Sequence, residues 1–157
     1  RNSMSVVYLN IGSNKGDRQA HIEQAVALIE QLCGSVARRA PLYESEPWGY
    51  DSVLPFLNLG LAIECTMEPF DLLHSLQSIE QEVSPTPHRD MAGNYIDREI
   101  DIDIIAIDEM VIDSAELTLP HCNMHLREFV LVPLQFLAPE WRHPILGLTA
   151  SQMLSQL

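Results

Sequence analysis

Glu99-Ile-Asp-Ile-Asp-Ile-Ile-Ala-Ile107 alternates acid and isoleucine through its first six residues. Residues two apart on a strand share a face, so the stretch predicts a strand with Ile100, Ile102 and Ile104 in the core and Glu99, Asp101 and Asp103 pointing out. Aspartate is depleted in strands, and like charges side by side on one face destabilise each other by up to ~1 kcal/mol. Serine or threonine would serve a merely wet face better. Two readings stay open: a solvated outer face, or a face whose repulsion a cation cancels. Carboxylates without a partnering histidine or cysteine suit a hard ion, and magnesium takes one or two carboxylates and completes its shell with water and substrate phosphates. Asp101 and Asp103 could then hold two such ions against a polyphosphate, which points to phosphoryl-type transfer.

On the N-terminal side, Ser84 to Asn94 contains Pro85, Pro87 and Gly93 without apolar periodicity and reads as a long loop of the kind used for lids. Glu68-Pro69 opens a helix with Leu72, Leu73, Leu76 and Ile79 on one face. Ser35 to Ser45 and Phe56 to Thr66 read as two strands, separated by a loop holding Pro47, Trp48, Gly49 and Pro55. Val6 to Ile11 is a buried first strand, and Asp17 caps a helix carrying Ile22, Ala25, Val26, Ile29 and Leu32 up to Gly34. On the C-terminal side, Asp108-Glu109 turns into Met110-Val-Ile112, and a loop carries Pro120-His121. Helices are predicted at Arg127 to Leu137 and Thr149 to Leu157. The order strand, helix, strand, strand, helix, strand predicts an α+β sandwich with helices on one face of a mainly antiparallel sheet.

The 157 residues suit a single domain, expected over residues 4–157, with Arg1-Asn2-Ser3 before Met4 read as a remnant outside the native sequence. No apolar run approaches the ~20 residues that span a bilayer, so no membrane partner is expected. A formal charge of -13 argues against a nucleic-acid partner, which needs a basic footprint. The same charge repels a nucleotide, so any nucleotide site must gather its own arginines, helix N-termini or metal. Cys33, Cys65 and Cys122 lack metal spacing and read as reduced thiols of a cytoplasmic protein.

Tyr95-Ile-Asp-Arg98-Glu-Ile-Asp101-Ile-Asp103, followed by Leu119-Pro120-His121 and Arg127-Glu-Phe129, resembles the 6-hydroxymethyl-7,8-dihydropterin pyrophosphokinases of folate biosynthesis. Tyr8-Leu-Asn-Ile-Gly12-Ser13-Asn14 and Phe56-Leu57-Asn58 match the same family, so the resemblance runs through essentially the whole chain. It implies a ferredoxin-like α+β fold, usually monomeric, transferring a pyrophosphoryl group from ATP to the hydroxymethyl of a reduced pterin with release of AMP. It further implies two Mg2+ ions on Asp101 and Asp103, a pterin pocket of Ser45, Pro47, Trp48, Phe56, Asn58 and Phe129, and a triphosphate met by Arg98, His121 and Arg127. Gln77, Glu80, Tyr95 and Thr118 fall on the nucleotide side. The chain departs from the family after the second helix, where a glycine-arginine pair is usual. Here Val83-Ser-Pro-Thr-Pro-His88-Arg89-Asp90 stands in a longer loop, and Arg89, with His88, is expected to supply the missing charge. Asp97 occupies the usual proline position, and Tyr95 that of the usual tryptophan. The altered loop motivates one rival reading, a pterin- and nucleotide-binding relative without catalysis. Another two-metal nucleotidyl enzyme on the same fold is the second rival, since fold does not dictate function.

Overall fold

The structure is a computed structural model and describes residues 3–46, 54–84 and 97–157. Strand β1 (Ser5–Ser13) lies between β4 (Phe56–Cys65) and β5 (Asp101–Ile107), and β2 (Ser35–Arg39) and β3 (Tyr43–Ser45) both pair with β4. All these pairings are antiparallel. Helix α1 (Arg18–Leu32) connects β1 to β2, and α2 (Pro69–Val83) follows β4. The sheet order β2-β4-β1-β5 with two such helices is the ferredoxin-like arrangement.

Alternation along the strands sorts the two faces. Val7, Leu9 and Ile11 of β1, Leu59, Leu61 and Ile63 of β4, and Ile102 and Ile104 of β5 turn one way. They pack under Ile22, Ala25 and Ile29 of α1 and Leu72, Leu76 and Ile79 of α2 in the main core. Asp17 starts α1 as the sequence predicts, its side chain accepting from Ala20 N at 3.1 Å.

The other face is also partly covered, which corrects the expectation of helices on one face only. Helix α3 (Glu128–Leu137) and the short α4 (Ala150–Leu154) bury Val130, Leu131, Leu134, Ala150 and Met153 against Ile105, Ala106 and Tyr8. Gly60 permits the close approach of α3, since a Cβ there would lie 2.5 Å from Pro133 Cβ. β1 and β5 change register between Tyr8 and Leu9, so Asn10 pairs with Asp103 and Leu9 with Ile104, but Tyr8 pairs with Ala106. This β-bulge lets β5 contribute to both cores.

Three further boundaries differ from the sequence reading. Ser35–Ser45 is two strands, because Pro41 supplies no ladder donor between them. β5 begins at Asp101, and Glu99 lies before it, bonded to Ser84 Oγ at 3.1 Å and to Lys15 Nζ at 3.3 Å. Thr118–Leu119 forms β7, paired with β6 (Ile112–Asp113), a two-residue ribbon too short to leave an alternating signature. Among the described residues, no helix is long and apolar enough to cross a membrane. Cys33 and Cys65 are buried free thiols, and Cys122 is exposed.

Candidate active site

The part of the second sheet face that α3 and α4 leave uncovered gathers the polar residues. Register places Gly12 between Asn58 on one neighbouring strand and Asp101 on the other, and Asn10 beside Asp103. A Cβ on Gly12 would stand 3.3 Å from Phe56 Cδ1 and 3.4 Å from Asn58 Oδ1, so glycine here leaves Phe56 and Asn58 free to lean across the strand. Amide, aromatic ring and carboxylates thus share one surface without a loop having to bring them together.

At the acidic end, Arg98 is 8% exposed and its Nη1 lies 3.5 Å from Asp101 Oδ1. Its guanidinium also lies over the Phe56 ring, 5.8 Å from the centroid. Asn14 grips the Arg98 backbone from both sides. Its Oδ1 accepts from Arg98 N at 2.9 Å, and its own N donates to Arg98 O at 3.2 Å. The Asn14 amide nitrogen also donates to Asp97 Oδ1 at 2.8 Å and to Leu54 O at 3.3 Å.

Burial, and then the Asp101 charge, push the Asp103 carboxyl up to about 7, with Arg127 and Arg98 pulling the other way. Glu80 of α2 is pushed to about 9 by burial and then by Asp101, while its carboxylate accepts from Ile102 N at 2.6 Å. Burial and then Arg127 drive His121 down to about 4, partly opposed by Asp101. Its Nδ1 accepts from Asn123 N at 3.3 Å, so the neutral ring carries its proton on Nε2.

At the amide end, Asn58 is 1% exposed, and its Nδ2 donates to Tyr43 O at 3.0 Å and to Ser45 Oγ at 2.8 Å. Its Oδ1 accepts from Asn10 Nδ2 at 3.4 Å. Both amide hydrogens are therefore committed within the protein, and the oxygen remains the group with capacity for a ligand N–H. Phe129, in the first turn of α3, carries the Arg127 guanidinium 5.6 Å from its centroid. An open cleft of about 570 Å³ lies against Tyr43, Ser45, Leu126, Glu128, Phe129 and Leu157. Tyr43 OH donates to Glu128 Oε2 at this cleft, and that hydrogen bond is the largest cause pushing the phenol up to about 12.

The structure thus brings Arg98, Asp101, Asp103, His121 and Arg127 into mutual electrostatic range and sets Ser45, Phe56 and Asn58 together beside them. Gln77 is exposed on α2, one turn before Glu80, and Thr118 is exposed on β7, its Oγ1 donating to Ser114 O at 3.3 Å. Pro47, Trp48, His88, Arg89 and Tyr95 lie outside the described residues. Sequence reasoning assigned no role to Asn10, Tyr43 or Glu128, and quoted Asn14 only within a motif. An asparagine inside a β-branched strand, as at Asn10, was the available signal.

Residues 8–139 match the family described as 7,8-dihydro-6-hydroxymethylpterin-pyrophosphokinase, or HPPK. The chain belongs to that family. Over 142 residues it is 42% identical to the 2-amino-4-hydroxy-6-hydroxymethyldihydropteridine pyrophosphokinase of Porphyromonas gingivalis, covering 90% of this chain and 95% of the relative. Identity to the Bacillus subtilis protein of the same name is 37% over 131 residues, covering 83% and 76% of the two chains. The folic acid synthesis protein of Schizosaccharomyces pombe is 40% identical over 140 residues, 88% of this chain but 19% of that much longer one. A solved structure of wild-type HPPK-DHPS from Plasmodium falciparum superposes with a TM-score of 0.78 at 15% identity, covering 99% of this chain and 45% of that one. At that identity the likeness speaks to the HPPK fold alone.

Among the described residues, no cluster of three or more His, Cys, Asp and Glu side chains could enclose a metal ion. Two adjacent carboxylates, both half-buried and one holding its proton up to about 7, instead fit an oxygen-seeking ion that draws its remaining ligands from phosphate and water.

Proposed function

We propose that this HPPK-family chain transfers a pyrophosphoryl group from ATP to the hydroxymethyl oxygen of 6-hydroxymethyl-7,8-dihydropterin, as a step of folate biosynthesis. Residues 4–157 act as one domain, monomeric and cytoplasmic, with ATP and the reduced pterin as partners and no nucleic acid or membrane. The bond from the hydroxymethyl oxygen to the β-phosphorus forms as the bridge between the α- and β-phosphates breaks. The hydroxyl proton is released and AMP leaves. One observation carries the reading: Asp101 and Asp103 share a sheet face with Asn58, and Arg98, Arg127 and His121 converge on the acidic end.

Such a transfer needs little covalent help from protein, so positioning and charge neutralisation dominate. Arg98 and Arg127 present fixed donor forks to the triphosphate. A neutral His121 adds an Nε2–H donor without adding charge. Gln77, Glu80, Tyr95 and Thr118 are assigned to the nucleotide side, and Arg89, within the 84–94 stretch, is assigned a catalytic role along with Arg98. Phe129 and Phe56 supply aromatic faces for the flat pterin, Ser45, Pro47 and Trp48 line its pocket, and Asn58 meets its edge. Two Mg2+ ions, held by Asp101 and Asp103, supply neutralisation of the phosphate charge when bound.

The test is AMP formation from ATP with and without the hydroxymethyl pterin and magnesium. AMP should appear only when all three are present, and Asp101→Ala and Asp103→Ala should each lower turnover by about 10²-fold or more, the scale of losing one electrostatic stabiliser. ATP cleavage indifferent to the pterin, or either variant turning over normally, would refute the assignment.

A further inference from the structure

Asn10 is a costly residue where it stands. It lies mid-strand in β1, is 5% exposed, and its Oδ1 has no hydrogen-bond partner among the described residues. A buried orphan acceptor loses its water without compensation, and asparagine is a poor strand former. Packing alone gives no reason for it. Asn10 lines a small cavity of about 10 Å³ shared with the apolar Gly60, Ile105 and Val130.

What Asn10 does make is one bond, from Nδ2 to Asn58 Oδ1 at 3.4 Å. The orientation of both amides follows from their partners. Asn58 spends Nδ2 on Tyr43 O and Ser45 Oγ, so only its oxygen can face Asn10, and Asn10 must answer with its nitrogen. The orphan oxygen is the unavoidable other half of that amide.

We propose that Asn10 is a positioning residue for the pterin, fixing the Asn58 carbonyl oxygen so that a second lone pair is aimed at the ligand N–H. The inference rests on the reading of Asn58 as a pterin-edge contact. Three partners on two strands then hold one amide: Tyr43 and Ser45 of β3 take its hydrogens, and Asn10 of β1 holds its oxygen. Asn10 does not touch the pterin itself, and it accepts a cost in fold stability for a gain in binding.

Asn10→Leu separates this role from a structural one, because the two move stability and binding in opposite directions. Binding of 6-hydroxymethylpterin, followed by its fluorescence with magnesium and a non-hydrolysable ATP analogue present, should weaken about 5- to 10-fold, the scale of one hydrogen bond. Affinity for the ATP analogue alone should stay within about twofold, and Tm should hold or rise because the orphan oxygen is gone. If the leucine variant fails to fold, Asn10→Ala is read the same way for the two affinities. Unchanged pterin affinity, or equal weakening of both ligands, overturns the proposal. Asn58→Ala is measured alongside: if it too leaves pterin affinity unchanged, the reading of Asn58 fails. If only Asn58→Ala weakens the pterin, the role of Asn10 alone fails.

Discussion

Gly60→Ala is expected to lift α3 from the sheet and damage the site from a distance. The new Cβ would stand 2.5 Å from Pro133 Cβ, 3.3 Å from Leu137 Cδ1 and 3.5 Å from Ala40 Cβ. Leucine can rotate away, but Pro133 is fixed in its helix and Gly60 in its strand. Regaining ordinary carbon contact requires α3 to retreat by roughly 1 Å. Overpacking of this kind costs about 1–3 kcal/mol. Alanine restricts the unfolded chain more than glycine and returns about 0.4–1 kcal/mol, leaving a net loss of about 1–2 kcal/mol. At about 2–4 °C per kcal/mol for a chain of this size, Tm should fall by roughly 2–8 °C. Phe129 stands in the first turn of α3 and Arg127 caps it, so the retreat carries both out of place. A displacement of ~1 Å at a reacting site can cost 10²-fold, so kcat/KM for the pterin should fall more than the stability loss alone explains. Thermal melting and steady-state kinetics on the same preparation check this. A variant with unchanged or higher Tm and unchanged kinetics would show that α3 is not seated on Gly60.

Asn14→Ala removes the bonds to Leu54 O, Asp97 and Arg98 N, and is expected to cost about 1–3 kcal/mol, as for a buried donor or acceptor left unmade. Because Arg98 and Leu54 share this tether, KM for ATP and for the pterin should rise together, in contrast to Asn10→Leu. Kinetics with each substrate varied in turn decide it. His143 is held neutral: its Nδ1 accepts from Ile145 N and Leu146 N, both at 3.2 Å, and burial followed by the nearby His125 charge lowers its pKa. The unfolded chain therefore binds a proton more readily, so this contribution is full above the ordinary histidine pKa and is lost as pH falls through 6.5 toward the lowered value. The slope contributed by one such group is at most about 1.4 kcal/mol per pH unit. His143→Asn keeps an acceptor without the titration, and its unfolding free energy in urea should fall less than that of the unaltered protein between pH 7 and pH 5. Equal losses would clear His143 of the role.

Much of the frame was legible because its elements are long and periodic. The acid–isoleucine alternation placed β5, and the spacing of Ile22, Ala25, Val26 and Ile29 placed α1. The placement of α3 was not legible. Its sequence, Glu128-Phe-Val-Leu-Val-Pro-Leu-Gln-Phe-Leu137, is apolar on nearly every side and gives no preferred face, so the second layer of the sandwich could not be read from it. β7 was too short to alternate, and Pro41 was passed over as a strand break. The candidate site divides in the same way. Asp101 and Asp103 announced themselves as a charge anomaly, and the family motifs supplied Asn58, Arg98, His121, Arg127 and Phe129. Asn10 and Asn14 act only through partners dozens of residues away, and no local pattern encodes that. Alternation alone makes Glu99 equivalent to its two acidic neighbours, and only the family positions set it apart; in the structure it precedes the strand and is engaged by Ser84 and Lys15.

The irregular step between β1 and β5 has a consequence for how this sequence can change. On the site side of the step, Asp101 and Asp103 face Gly12 and Asn10. Beyond it, Ala106 faces Tyr8, three positions from Asp103 rather than an even number. A regular ladder could not put Asp103 and Ala106 on one face, so the extra residue lets a single strand carry hydrophilic chemistry at one end and apolar packing at the other. Substitution within Asp101–Ile107 alters one face at a time. Loss or gain of a single residue would exchange the faces over half the strand, turning acids into the core or isoleucines into the site. Length is therefore the more strictly constrained property of this segment, and drift among relatives should be written in letters, not in gaps.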